Sequence, residues 1–254
     1  MTQLAHRIDV RSIGRVRVIT LDRAAKRNAL DEAAVQALER AWRDFAASHD
    51  CVAVLRARGP VFTAGLDMNA VPAQFWRAIP ELGVPVGKPV IAVVDGPVIA
   101  AGVSLLTFCD LCIATDRSTF VYPEARMGNA AGLVASIIPR MPHKIAMELM
   151  LLGRPVSAQR AYEVGFVNRL CAPGEEMTVA MEMAHDMADS SPTVMRFLKR
   201  LAQETLARSP VEAMACTQML AQDVACSTDA AEGAAARRER RAARFPGFSR
   251  GSAR

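Results

Sequence analysis

One stretch of small residues behind an apolar strand constrains this chain more than any other feature. Residues 90–94 are all apolar and predict a buried strand, Asp95 and Gly96 predict a turn, and 97–104 predicts the start of a helix. A helix start leaves backbone N–H groups unpaired, and small side chains let a ligand oxygen approach them. The stretch is therefore a candidate for half of an oxyanion hole, although small residues also allow close packing of a helix on a sheet.

A second stretch repeats this arrangement earlier in the chain. The apolar run 52–55 predicts a strand, and residues 61–68 follow it with a glycine at position 65. Two such stretches, separated by a helical connection, can converge at one edge of a sheet. Their shared target would be an oxygen that acquires negative charge during a reaction.

Several short motifs occur in a fixed order, at 21–23, 26–30, 62–67, 95–102, 109–110, 122–124, 165–169 and 232–233. With these motifs the chain resembles the crotonase family, also called the enoyl-CoA hydratase/isomerase superfamily. The resemblance implies an α/β fold, a spiral of ββα repeats with a C-terminal helical region. It also implies that this helical region packs between subunits and that the protein forms a trimer or a dimer of trimers. We expect a core with the acyl-CoA site over residues 1–190 and the helical region over 191–254.

The resemblance also assigns roles to single residues. It implies that the backbone amides of Leu66 and Ala101 hold a thioester carbonyl, which favours formation of an enolate. Glu124 falls where the family places a catalytic glutamate that carries a proton. The family usually has glycine where this chain has Ala101, so the backbone there must suit a residue with a Cβ.

Position 104 departs from the family's hydratases, which place a second glutamate three residues after the second oxyanion amide. This chain has Ser104 there, and a hydroxyl is a poor base for activating water. Moving a double bond needs only one group, so we favour isomerase-like chemistry with Glu124 alone. A true 2-enoyl-CoA hydratase and a non-catalytic acyl-CoA-binding protein are the alternatives.

Coenzyme A enters as part of the substrate, and we expect no other cofactor. The resemblance places contacts to it at Lys26, Arg27, Ala29, Ala64, Asp67 and Met68. The segment 128–132 departs from the Pro-containing, Gly-rich loop that shapes the family's acyl pocket, so the identity of the acyl group stays open.

Composition narrows the remaining possibilities. Cys109 and Cys112 form a lone C-x-x-C pair, so we expect no metal site and interpret the cysteines as small buried hydrophobes. The net charge of +5 comes largely from arginines in 237–254, which could contact phosphate or, as a third hypothesis, RNA. Few aromatic residues interleave with them, so nucleic acid is not the favoured partner. No apolar run has membrane-spanning length and no signal sequence is evident, so we expect a soluble cytoplasmic protein.

Periodicity and breakers predict the remaining elements. A hairpin is expected over 8–22, a helix capped by Asp31 up to Ala47, and either a mobile helix or lid or an ordinary amphipathic connection over 72–85. Strands are predicted at 111–114 and 119–122, and residues from 132 onward are predicted to be helical. The individual helices are 145–152, 157–164, 175–190, 192–207, 211–226 and 229–244.

Overall fold

The computed structural model describes residues 8–127, 132–205, 222 and 227–245. The chain divides into two compact units, Met1–Ser209 and Pro210–Arg254. The division predicted from the sequence, between an acyl-CoA-binding core up to residue 190 and a helical region after it, stays a prediction.

The strands in the described part of the chain are β1 (Ile8–Ile13), β2 (Val16–Leu21), β3 (Val52–Ala57), β4 (Val90–Val94), β5 (Pro97–Ile99), β6 (Leu111–Thr115), β7 (Thr119–Val121), β8 (Val156–Ser157) and β9 (Arg169–Cys171). One sheet has the order β1-β2-β3-β4-β6-β9, and a smaller sheet has the order β5-β7-β8. The hairpin β1–β2 is antiparallel, as predicted, and every later pairing in the large sheet is parallel.

The helices in the described residues are α1 (Glu32–Ala47), α2 (Ala101–Leu106), α3 (Glu124–Met127), α4 (His143–Met147), α5 (Ala158–Glu163), α6 (Glu176–Ala188), α7 (Pro192–Thr205) and α8 (Thr228–Glu239). Short 3-10 turns lie at Ala24–Lys26, Phe75–Ala78, Gly132–Ser136 and Ile138–Arg140. Of these helices, none combines the length and apolar character needed to cross a membrane.

The expected spiral of ββα repeats is confirmed. Strand β4 turns at Asp95 and Gly96 into β5 and α2, and β6 turns in the same way into β7 and α3. The segment after β3 takes the corresponding place, because Thr63 bridges Val98 of β5 in parallel. The turns stack tightly: a Cβ on Gly96, whose φ is +95°, would lie 2.2 Å from the carbonyl oxygen of Pro60. Successive repeats therefore bring their second segments side by side.

Helix α1 covers the core and anchors the segment that follows β3. Asp31 caps it by accepting from the Ala34 amide at 3.0 Å, and its buried face includes Trp42 and Phe45. The Trp42 indole donates to the Ala78 carbonyl at 2.8 Å. The segment 72–85 thus holds only a 3-10 turn packed on α1, which supports an ordinary connection and not a helical lid.

Several helix predictions needed correction. The helix expected at 145–152 is α4 followed by a π-helical turn, Glu148–Leu152. The helical interpretation from 132 onward missed β8 and β9, which are too short to show an alternating pattern. The prediction for α5 is confirmed, because Ser157 accepts from the Arg160 amide. The helix expected at 211–226 lies outside the described residues, apart from position 222.

Two further sets of contacts stabilise the core and its edge. The methionines of α6 pack beside Ala180 and Ala184 against the large sheet, as core filling. Asp110 has a structural role: its Oδ2 accepts from the Val90 amide at 2.8 Å and from Lys199 Nζ at 2.7 Å. Lys199 is buried and also pairs with Glu81 at 2.9 Å, which ties α7 to the start of β4.

Candidate active site

The two stretches singled out in the sequence meet in the structure. A Cβ built on Gly65, whose φ is +86°, would lie 3.0 Å from the Ile99 carbonyl oxygen and 3.5 Å from the Ala101 amide nitrogen. A Cβ on Gly102 would lie 2.3 Å from the Thr63 side chain. Only glycine allows this close approach at both positions. Leu66 and Ala101 therefore lie at the same edge of the spiral, as predicted.

The backbone around Leu66 orients its amide. Leu66 bridges Leu30 in parallel: the Leu30 amide donates to the Gly65 carbonyl at 2.8 Å, and the Asp67 amide donates to the Leu30 carbonyl at 2.9 Å. Because those two groups face Leu30, the Leu66 N–H faces the opposite side. Neither this amide nor that of Ala101 donates to an acceptor within the described part of the chain. Both are available to a ligand oxygen.

Ala101 presents its amide as the first residue of α2, where helix geometry leaves N–H groups unpaired. The residue with a backbone conformation that favours glycine is the preceding one, Ala100. Ala100 has φ 56° and ψ −121°, which glycine adopts far more readily than alanine, whereas Ala101 has no positive φ. The Ala100 amide donates to the Val121 carbonyl at 2.8 Å, and the Val103 amide donates to the Ala100 carbonyl at 2.9 Å. These bonds hold the strained residue in place, so a Cβ at Ala101 is compatible with the hole.

Glu124 lies at the carboxyl end of β7, which pairs in parallel with β5 next to the Ala101 amide. Its Oε2 is buried and has no hydrogen-bond partner among the described residues. Burial raises the pKa of Glu124 above the usual range of a glutamate. Burial and the nearby Glu124 charge also raise the pKa of Tyr122. A carboxyl in this state holds its proton up to a higher pH than an ordinary glutamate does, which suits a group that carries a proton during a reaction.

Ser104 is buried on α2, three residues beyond Ala101. Its carbonyl accepts from the Thr107 hydroxyl at 2.7 Å, and that hydroxyl lies 2.8 Å from Ser136 Oγ. The backbone of position 104 therefore contacts a buried pair of hydroxyl groups, and its own side chain brings no carboxylate to this turn of the helix.

The residues expected to contact coenzyme A lie on two adjoining segments. Lys26 and Arg27 are exposed, and the Arg27 carbonyl accepts from the Ala64 amide at 2.9 Å, which brings both segments together. Ala29 and Ala64 are half-buried, and Met68 is 64% exposed.

Asp67 differs from the other expected contacts because its carboxylate is already engaged. Its Oδ2 accepts from Arg23 Nη1 at 2.7 Å, and this bond lowers the pKa of Asp67. Asn28 is also more important than its motif suggested, since its amide group donates to the carbonyls of Arg58 and Val61. Sequence inspection found Arg23 and Asn28 only as members of motifs, because their partners are distant along the chain.

Of the four cysteines in the described residues, Cys51 and Cys112 are buried and Cys109 and Cys171 are half-buried. Burial raises the pKa of both Cys109 and Cys112, for Cys112 to about 12. Within the described residues, no group of three or more candidate ligands could hold a metal ion. Cys216 and Cys226 lie outside the described residues.

In the C-terminal unit, Glu232 of the last motif has a local role. It accepts from Arg241 at 2.6 Å and from the Arg244 amide at 2.8 Å, and the Arg241 bond lowers the pKa of Glu232 to about 2. Arg238 and Arg240 are exposed, and the side chain of Arg237 lies outside the described set.

The chain is similar to several known proteins in sequence and in fold. The chain is 29% identical to enoyl-CoA hydratase EchA19 of Mycobacterium tuberculosis over 91% of its own length and 93% of the relative's. It is 30% identical to 4-chlorobenzoyl coenzyme A dehalogenase-1 of an Arthrobacter species, over 87% and 86% of the two chains. A crystal structure of an enoyl-CoA hydratase from Mycobacterium tuberculosis H37Rv superposes with a TM-score of 0.73 and 32% identity, covering 95% of this chain and 99% of that one. The enoyl-CoA hydratase/isomerase family model matches residues 12–248. This chain therefore belongs to the enoyl-CoA hydratase/isomerase family, within the crotonase superfamily.

Proposed function

We propose that this protein binds an acyl-CoA thioester, stabilises its enolate through the amides of Leu66 and Ala101, and transfers a proton with Glu124. The observation that carries the proposal is Glu124 Oε2, which is buried, has no hydrogen-bond partner among the described residues and lies at the same edge as the two amides. Two backbone donors aimed at one carbonyl oxygen acidify the proton on the adjacent carbon. A single carboxyl group can then remove that proton.

Double-bond migration is the reaction that one carboxyl group can complete. Glu124 would remove a proton from C2 of a 3-enoyl thioester and return it to C4, while the double bond moves from C3–C4 to C2–C3. The proton count is unchanged, and no water is consumed. Because burial raises its pKa, Glu124 is a better proton acceptor than an ordinary glutamate, and once protonated it can donate the same proton to C4.

The buried serine at position 104 is the reason for favouring isomerisation over hydration. Hydration requires one group to activate water and another to protonate carbon, and Ser104 brings no second carboxylate. The relatives carry names of different reactions, hydratase and dehalogenase, so membership of the family leaves the reaction to be decided by such residues.

The test is a spectroscopic assay of 2-enoyl-CoA and 3-enoyl-CoA with wild type, Glu124→Gln and Ser104→Glu. We expect wild type to convert 3-enoyl-CoA and Glu124→Gln to abolish that conversion. Brisk hydration of 2-enoyl-CoA by wild type would contradict the role given to Ser104. Tight acyl-CoA binding without turnover, unchanged by Glu124→Gln, would instead identify a non-catalytic binding protein.

We also propose that the protein assembles as a trimer or a dimer of trimers. Helix α7 supports this, because Val194, Phe197, Leu198 and Leu201 recur on one face and are each 41–54% exposed in the single chain. Light scattering coupled to size-exclusion chromatography gives the number of subunits directly. A monomer at micromolar concentration would refute the proposal.

A further inference from the structure

The Leu66 amide is held by a short ladder. Before this ladder, the same two segments are joined by the Ala64 amide, which donates to the Arg27 carbonyl at 2.9 Å, and by Thr63 Oγ1, which donates to the Asn28 carbonyl at 2.7 Å. The ladder consists of the two backbone bonds between Leu30 and the flanking residues Gly65 and Asp67, at 2.8 and 2.9 Å. Gly65 has φ +86°, in a region where glycine is conformationally free. Met68, two residues beyond Leu66, is largely exposed. On the far side of Leu66, the contacts of the Asp67 side chain add to the ladder in holding the two segments in register.

Arg23 spans both sides of this ladder. Its Nη1 donates to Asp67 Oδ2 at 2.7 Å on one side and to the Ala29 carbonyl at 2.9 Å on the other. Its Nη2 lies 3.2 Å from Asp31 Oδ2. Ala29 and Asp31 flank Leu30, and Asp67 follows Leu66, so one guanidinium connects both strands of the ladder.

The groups that Arg23 contacts are themselves fixed. Asp31 Oδ1 caps α1, and Asp67 Oδ1 accepts from the Asn69 amide at 3.1 Å. The Arg23 amide donates to Asn28 Oδ1 at 2.8 Å. The side chains of Arg23, Asp31 and Asp67 are 19%, 7% and 12% exposed, so water competes weakly for these bonds. A planar guanidinium with several donors can span three acceptors, whereas a lysine ammonium is a single point.

We infer that Arg23 is a positioning residue for the oxyanion hole: through Asp67, Asp31 and Ala29 it holds the Leu66 amide in the direction that receives the thioester oxygen. The inference rests on the proposed function, because in that function the Leu66 amide binds the thioester oxygen. Arg23 contacts no reacting atom in this scheme. Its loss should affect the reaction more than the binding of coenzyme A.

The experiment compares Arg23→Gln, Arg23→Lys and Asp67→Asn with the control Arg58→Gln. The Arg58 side chain is 54% exposed and forms an ion pair with Asp22. Its substitution therefore removes an arginine–carboxylate ion pair that does not contact the ladder. One oxyanion donor is worth about 100-fold to 1,000-fold in kcat, so a misdirected donor should cost about 10-fold to 100-fold. We expect that loss in kcat for the three variants, with KM changed by less than about threefold, and no loss for Arg58→Gln.

A spectroscopic measurement separates positioning from general stability. In the Glu124→Gln background, a 2-enoyl-CoA isotope-labelled at the thioester carbonyl stays unreacted, and difference infrared spectroscopy reports how strongly the carbonyl is polarised. In this background, binding should shift the carbonyl stretch to lower frequency. The size of that shift should decrease by more than half when an Arg23 or Asp67 substitution is added. If the shift is unchanged in those variants, or is reduced equally in Arg58→Gln, the role of Arg23 is wrong while the proposed function stands. No shift in the Glu124→Gln background would overturn the proposed function and with it this inference.

Discussion

Replacing Ala100 with glycine should stabilise this protein, which is the reverse of the usual effect of an alanine-to-glycine substitution. Ala100 has φ 56° and ψ −121°, and it directly precedes the helix that presents the Ala101 amide. The conformation persists because the Ala100 amide and carbonyl are both bonded, to Val121 and Val103. Glycine adopts this conformation without the steric conflict between Cβ and the backbone.

The expected gain follows from three contributions. A non-glycine residue in such a region costs about 1–3 kcal/mol, and we take about 2 kcal/mol as relieved. Glycine loses more backbone entropy on folding, which costs about 0.7 kcal/mol. The half-buried Ala100 methyl contributes about 0.4 kcal/mol by burial, half of the value for a fully buried methylene. The net stabilisation is about 1 kcal/mol, which corresponds to a rise in Tm of about 2–4 °C for a chain of this size.

The adjacent alanine provides the matched control. Ala101 has no positive φ and begins α2, so Ala101→Gly should destabilise the fold by about 0.5–1 kcal/mol. Urea unfolding followed by circular dichroism, at equal protein concentration, measures both variants. The strain argument fails if Ala100→Gly unfolds at the same or a lower urea concentration than wild type.

Three further outcomes are expected. Burial raises the pKa of Glu124 in the folded state, so ionisation of this carboxyl opposes folding. Glu124→Gln should therefore raise the Tm above that of wild type at pH 8. The difference in Tm should vanish below about pH 4, where the carboxyl is protonated in the unfolded state as well. A Tm difference independent of pH would contradict this. Gly102→Ala should destabilise the fold by about 1–3 kcal/mol in urea, because its Cβ would meet the buried Thr63 side chain at 2.3 Å; unchanged stability would show that the two segments can separate. Lys199→Met should cost about 1–2 kcal/mol, because Glu81 and the partly exposed Asp110 lose their ion pair with the buried ammonium; adding Asp110→Asn should recover part of this loss, and no recovery would exclude that ion pair as the cause.

The sequence predicted most of the candidate site because its chemistry depends on local backbone patterns. A strand followed by small residues indicates an exposed amide, and this pattern picks out the two stretches that contain Leu66 and Ala101. The helix cap at Asp31 also follows from residue type and position, because its determining contact, with the Ala34 amide, lies within the first turn of α1.

Predictions failed where distant contacts decide the local structure. The segment 72–85 has the composition of an amphipathic helix, yet the Trp42 hydrogen bond to Ala78 and the packing on α1 leave only a 3-10 turn. Strand β5 was expected as part of a helix start, because three residues carry too little periodicity to be distinguished from it. Its extended conformation comes from pairing with β7 and Thr63.

The sequence by itself determined the family and selected the candidate site residues, since both depend on residue types and their order; the spiral was implied by the resemblance to the family. Only the tertiary structure decided that the strain lies at Ala100 and not at Ala101, and that Arg23 joins both sides of the Leu66 ladder. It also decided that Glu124 Oε2 is buried without a partner among the described residues. Burial, backbone strain and charge pairing are set by groups far apart in the chain, which no local pattern of residues can encode on its own.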